Sequence, residues 1–188
     1  MSMTTTKKTT TRTKTTTPRR KTTTKPKSVA VKKVELPPNP LVFEILEAVD
    51  AERTKAKKIG ILRQYGDNAL KSLFIWNFDE SVISMLPDGQ VPFQPLDADQ
   101  GANPERGVPT RTTIRSAADK FFNFVKGGND ALNKIKRESM FINLLETLHV
   151  KEAEILILVK DKALGSKYKI TKELVSEAYT DIQWGGRS

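Results

Sequence analysis

His149 is the single histidine of a chain that has no cysteine. In "ETLHVKEAE" its nearest candidate partners for acid–base work or metal binding are Glu146, Glu152 and Glu154. One imidazole without thiolates is a sparse ligand set, and a histidine closing a helix is favoured by the helix dipole alone. The spacing therefore predicts a structural histidine at a helix C-terminus. Asp97 and Asp99 in "LDADQGANPERGV" invite a calcium-loop reading, but the fifth, sixth and twelfth positions hold Gly101, Ala102 and Val108 where an acid or amide, glycine and glutamate are needed. Solvated loop carboxylates are the better reading. In "FVKGGNDALNK", Lys126, Gly127 and Gly128 precede an expected helix, where freed amides, a dipole and an ammonium would suit a phosphate. The competing reading is capping, with Gly127 ending one helix and Asn129 or Asp130 opening the next. No Walker-type or dinucleotide pattern occurs, and no nucleophile, base and orienting group converge. The chain is expected to be no enzyme and to hold no cofactor or metal.

The elements that would position these residues are read from apolar spacing. "LPPNP" (Leu36 to Pro40) ends an apolar-poor start, with Asn39 as an expected N-cap and Pro40 as the first helical residue. "PLVFEILEAVDAER" repeats apolar residues at helical spacing. A second helix over about Thr54 to Tyr65 turns Ile59, Leu62 and Tyr65 inward and keeps Lys55, Lys57, Lys58 and Arg63 wet, with Gly66 ending it. "NALKSLFIWNF" and "ESVISML" read as two more helices, the latter capped by Asp79, with Phe74, Trp76 and Phe78 in the core. Positions 87–111 form a long irregular loop. "TTIRSAADKFFNFVKGG" is expected to line one face with Ile114, Ala117, Ala118, Phe121, Phe122 and Val125. The longest helix is expected over Asn129 to Leu148, burying Leu132, Ile135, Phe141, Leu144, Leu145 and Leu148. Strong helix formers make "VKEAEILILVKDKAL" a helix rather than a buried strand. A last helix opens with Thr171 and runs to about Tyr179. The fold class is therefore all-α, a compact domain of about seven or eight short amphipathic helices.

Charge is distributed less evenly than the pI of about 9.7 suggests. Of 32 basic residues, eleven lie in Met1–Val34 with no acid: Lys7, Lys8, Arg12, Lys14, Arg19, Arg20, Lys21, Lys25, Lys27, Lys32 and Lys33. The remaining 21 face all 22 acids, so Glu35 onward carries −1 and the excess of +10 is due wholly to this segment. Positions 1–38 are expected to be a disordered tail, because a segment that buries nothing cannot offset its ordering entropy. The acid-poor, hydroxyl-rich composition overlaps with transit peptides, but the want of an apolar face before "SVAVKKV" counts against that reading, and no apolar run approaches the roughly 20 residues that span a bilayer. An extended polycation binds a polyanion chiefly by releasing counterions, without reading sequence. Within the helical part, Lys126, Gly127, Gly128, Lys134, Lys136 and Arg137 are candidate secondary phosphate contacts, and Lys160, Lys162, Lys167, Lys169 and Lys172 cluster around Gly165. Interspersed acids favour an ordinary solvated face there.

"LPDGQVPF", "FVKGG", "KRESMFINLLETLHVKEAEILILVKDKAL" and "KYKITKELVSEAY" resemble a family of uncharacterised proteins of T4-like tailed phages, including phages of marine cyanobacteria. The resemblance spans roughly positions 39–179, and members commonly begin near Asn39, so the basic tail stands outside it. It implies a phage setting and a helical domain, and it supplies no catalytic residues. The expectation is a non-enzymatic phage protein in the host cytoplasm, at the nucleoid, which binds DNA or RNA non-specifically through its tail and uses the helical domain as an interaction module. The alternative is a helical adaptor for a host or phage protein, with a solubilising tail.

Overall fold

A computed structural model describes residues 1–3, 35–94 and 112–187. The eleven tail cations, and Asp97 and Asp99 with most of the 87–111 loop, lie outside the described residues. The chain divides into Met1–Ala30 and Val31–Ser188, and the fold described here belongs to the second unit.

Eight α-helices occur among the described residues: α1 Val42–Ala51, α2 Lys55–Tyr65, α3 Asn68–Phe78, α4 Ile114–Ala117, α5 Lys134–Thr147, α6 Val150–Lys160, α7 Leu164–Lys167 and α8 Lys172–Ala178. A 3₁₀ segment, Ala118–Phe124, continues α4. The fold is all-α, and among the described residues its one β-type contact is an isolated antiparallel bridge between Ser84 and Val125. α6 is central, touching α1, α3, α5 and α7, while α2 packs between α1 and α8. Phe74, Phe124, Phe141, Leu46, Leu145 and Ile155 are fully buried. Trp76 lies over Phe124 with ring centroids 6.1 Å apart, and Phe124 meets Phe141 edge-on at 5.2 Å. Such aromatic pairs add roughly 0.5–1.5 kcal/mol each beyond the area they bury.

The apolar patterns predicted most helices, and tertiary partners moved several of their ends. α1 begins at Val42 rather than Pro40, because Asn39 Oδ1 accepts from Arg115 Nη1 at 2.9 Å and is not free to cap. Capping falls instead to Glu44, whose Oε2 accepts the Leu41 N–H at 2.7 Å. "ESVISML" is not helical. Asp79 closes α3, its N–H bonded to Ile75 O, and the chain beyond extends so that Met85 N–H meets Phe124 O at 2.8 Å and Lys126 N–H meets Ile83 O at 2.9 Å. Val82 and Leu86 are buried all the same, from an extended segment rather than from the expected helix.

The tight 3₁₀ winding explains another difference. With about three residues per turn, Phe121 and Phe124 share the buried face, whereas Phe122 is turned out and 51% exposed. α5 starts at Lys134, not Asn129, with Asn133 Oδ1 accepting the Ile135 N–H at 2.9 Å. Ile135, expected inside, is therefore in the exposed first turn. Thr171 caps α8 as predicted, accepting the Leu174 N–H at 3.3 Å. Gly66 is required by crowding rather than by backbone angle: a Cβ there would lie 2.3 Å from Tyr179 Oη and 2.5 Å from Leu62 O. That close approach lets Tyr179 Oη donate to Leu62 O at 2.6 Å and lock α8 onto α2.

Candidate nucleic-acid interface

Within the folded unit, the cations singled out by sequence fall on the turn after the 3₁₀ segment and on α5. The expected phosphate cradle is closed there. Lys126 N–H goes to Ile83 O, Gly127 N–H to Asp130 Oδ1 at 3.0 Å, and Gly128 N–H to Val125 O at 3.3 Å. All three amides thus have partners inside the chain, and no helix begins at them. The glycines serve the turn. Gly127 has φ +78, and a Cβ on Gly128 would lie 1.9 Å from Phe122 O.

Arg137 is also removed from the surface. It is 2% exposed, with Nε donating to Asn123 O and Nη2 to Asn129 O, each at 2.8 Å. A guanidinium that satisfies two loop carbonyls in a buried setting is a structural clamp, because leaving those acceptors unpaired would cost about 1–3 kcal/mol each. Lys126, Lys134 and Lys136 stay exposed. Lys134 stands 4.0 Å from Glu138, a long surface pair of small energetic weight.

The lysines around Gly165 do not form one basic surface. Lys160 is buried, and its Nζ donates to Pro87 O and Gly89 O, each at 2.8 Å, and to Asp161 Oδ1. It therefore binds the strap 87–89 to the end of α6. Lys162, whose φ is +54, donates to Asp79 O at 2.7 Å. Lys167 pairs with Glu154, Lys169 approaches Asp50 at 3.9 Å, and Lys172 sits 5.2 Å from the ring of the half-buried Trp184. Lys58, expected to be wet, is buried and donates to Lys169 O at 2.7 Å.

His149 caps the start of α6 rather than closing the preceding helix. Its Nδ1 accepts the Lys151 N–H at 3.2 Å, and its ring stacks on Phe43 at 4.8 Å. Burial and then the neighbouring Lys151 charge push its pKa below the ordinary value, which suits an unprotonated acceptor nitrogen. Glu154 is committed to Lys167. Glu152 is fully buried, with Oε1 accepting Val42 N–H at 2.9 Å and Oε2 accepting Ile114 N–H at 3.0 Å. One carboxylate thus caps two helices that are remote in sequence. Burial raises its pKa, and the bonds from Ile114 and Val42 oppose that rise. Among the described residues, no group of three or more His, Cys, Asp or Glu side chains is placed to hold a metal ion, and no helix is long and apolar enough to cross a membrane.

Asp79 is the other buried carboxylate among the described residues. Its Oδ1 accepts Ser81 N–H and Oγ–H, while Oδ2 accepts Gly185 N–H at 2.9 Å and Arg187 Nη1 at 2.6 Å. Burial alone would push its carboxyl up, but these bonds together outweigh it and hold the pKa at about 2. The C-terminal segment is fastened to the end of α3 in this way.

No curated protein and no solved structure matches the chain. A family model does match, over residues 45–166, a span that begins within α1, ends within α7 and covers well over half of the 188 residues. The matched span holds Glu152, Arg137 and Lys160, the charged residues that tie the helices together, and leaves the basic segment outside. On that match, the chain belongs to a family of unknown function, DUF6433.

Proposed function

We propose that the protein is a non-enzymatic phage protein that binds nucleic acid, DNA or RNA, without sequence specificity through Met1–Val34, with the helical domain as an interaction module held close to the bound polymer. The observation that carries this reading is the segregation of charge: eleven cations and no acid in that segment, against a net −1 in the rest. The internal bonding of the folded unit supports it. Lys58, Arg137, Lys160 and Lys162 direct their charged groups to carbonyls of the chain itself, which reduces what the domain can offer a polyanion. The resemblance to T4-like phage proteins favours action in the host cytoplasm, at the nucleoid.

Counterion release governs such binding, so contact with ~6–10 phosphates would lower affinity by about 10³–10⁵ between 50 and 200 mM salt. The test is a salt titration of duplex DNA binding by the full chain and by a variant with all eleven tail cations changed to Gln. The variant is expected to lose duplex binding and keep its helical circular dichroism. Equal binding by the two proteins, or no binding by the native chain at low salt, defeats the proposal.

A further inference from the structure

Phe122 and Ile135, 51% and 74% exposed, are two of the few large apolar side chains that the described residues leave open to solvent. Lys120 and Lys126 flank Phe122 in sequence, and Lys136 precedes Arg137, whose Nε donates to Asn123 O. Lys120, Lys126 and Lys136 are exposed, and among the described residues none of them forms an ion pair with a carboxylate. The segments carrying these residues are knotted together. Asn123 Nδ2 donates to Lys120 O at 3.0 Å, Asn129 Nδ2 donates to Asn123 Oδ1 at 2.8 Å, and Arg137 clamps Asn123 O and Asn129 O to the first turns of α5. Gly128 packs directly on the Phe122 carbonyl. The backbone that presents the ring is therefore rigid, so little order has to be imposed when a ligand binds. The ring is not there to fill the core, because Phe121 and Phe124 already occupy the buried face of the 3₁₀ segment.

We propose that Phe122 is a stacking platform for a single-stranded nucleic acid, with Lys120, Lys126 and Lys136 meeting the phosphates on either side. This rests on the nucleic-acid reading above and adds a strand preference to it. A single strand is favoured because an unstacked base can lay its face on the ring, whereas the bases of a duplex are occupied with one another. Asp119 and Asp130 share this neighbourhood, and Glu138 lies near Lys134, so its local charge excess is small. Stacking, not counterion release, therefore leads the contact, and its salt dependence is shallower than that of the tail.

The experiment uses the full chain and its Phe122→Ala and Phe122→Trp variants. Fluorescence anisotropy reads their affinity for a labelled short oligothymidylate and for a duplex at the same salt. Loss of one base–aromatic stack is expected to weaken Phe122→Ala on oligothymidylate about 5-fold or more, with duplex affinity unchanged, and Phe122→Trp is expected to bind at least as tightly as the native chain. Changing Lys120, Lys126 and Lys136 together to Gln is expected to reduce the single-strand salt slope by roughly 2. Unchanged oligothymidylate affinity in Phe122→Ala, or equal losses on single strand and duplex, overturns the platform. Neither outcome touches the tail reading, which stands or falls on duplex binding by the tail variant.

Discussion

Lysine and arginine have different settings in two regions of this chain. In Met1–Val34 eleven of them stand among threonines without a single acid, whereas from Glu35 onward 21 cations share the sequence with 22 acids. In the folded unit, proximity brings many of them to partners. Lys160 and Arg137 are 2% exposed and bonded to backbone carbonyls, and Lys55, Lys71 and Lys151 pair with Glu177, Asp181 and Glu47 across distant sequence. A cation in the folded unit can thus be part of the architecture, while one in the segregated segment has no acid of its own to neutralise it. Net charge alone does not separate the two, because it counts both alike.

The comparison breaks first at Lys160. If it is architectural, Lys160→Met leaves the carbonyls of Pro87 and Gly89 without their donor and is expected to destabilise the fold by about 2–4 kcal/mol. That corresponds to a Tm roughly 4–16 °C lower by thermal melting. A Tm unchanged by this substitution would make Lys160 as dispensable as a surface lysine.

Asp79 sharpens the comparison from the acidic side. Its folded pKa of about 2 lies below the ordinary 3.8, so its contribution of about 2 kcal/mol is present above pH 3.8 and is lost as pH falls toward 2. Asp79→Asn should therefore be less stable than the native chain at neutral pH, and the gap should close in acid. Denaturant melts across pH that show a constant gap would contradict this.

The smallest effect belongs to the exposed lysines of the domain. Changing Lys126 and Lys136 to Gln is expected to alter stability by no more than about 0.5 kcal/mol. A larger loss by chemical denaturation would show that they too hold the fold.

Helix existence was legible wherever apolar residues recurred at helical spacing over two or more turns, as in α1, α3 and α6. Helix ends were less so. Asn39 looks like a cap until Arg115, far along the chain, takes its oxygen. The register of "SAADKFFNF" was misread because 3₁₀ and α winding bury different members of the Phe121, Phe122 and Phe124 set. Arg137 and Gly128 were plausible phosphate contacts by type and spacing. Their actual partners, Asn123, Asn129 and Phe122, lie close in sequence, but only a folded turn brings them to the right side.

Sequence by itself determined the charge segregation, the helical class and most of the apolar faces. These depend on composition and on periods of a few residues, which need no knowledge of distant contacts. Tertiary structure alone decided that Glu152 caps α1 and α4 together, that Lys160 holds the strap 87–89, that Asp79 anchors the C-terminal segment, and that Phe122 faces solvent. The anchoring contacts join residues dozens of positions apart. The physical reason lies in burial: a polar group taken from water must find a partner, and which groups are buried together is fixed only when the helices pack.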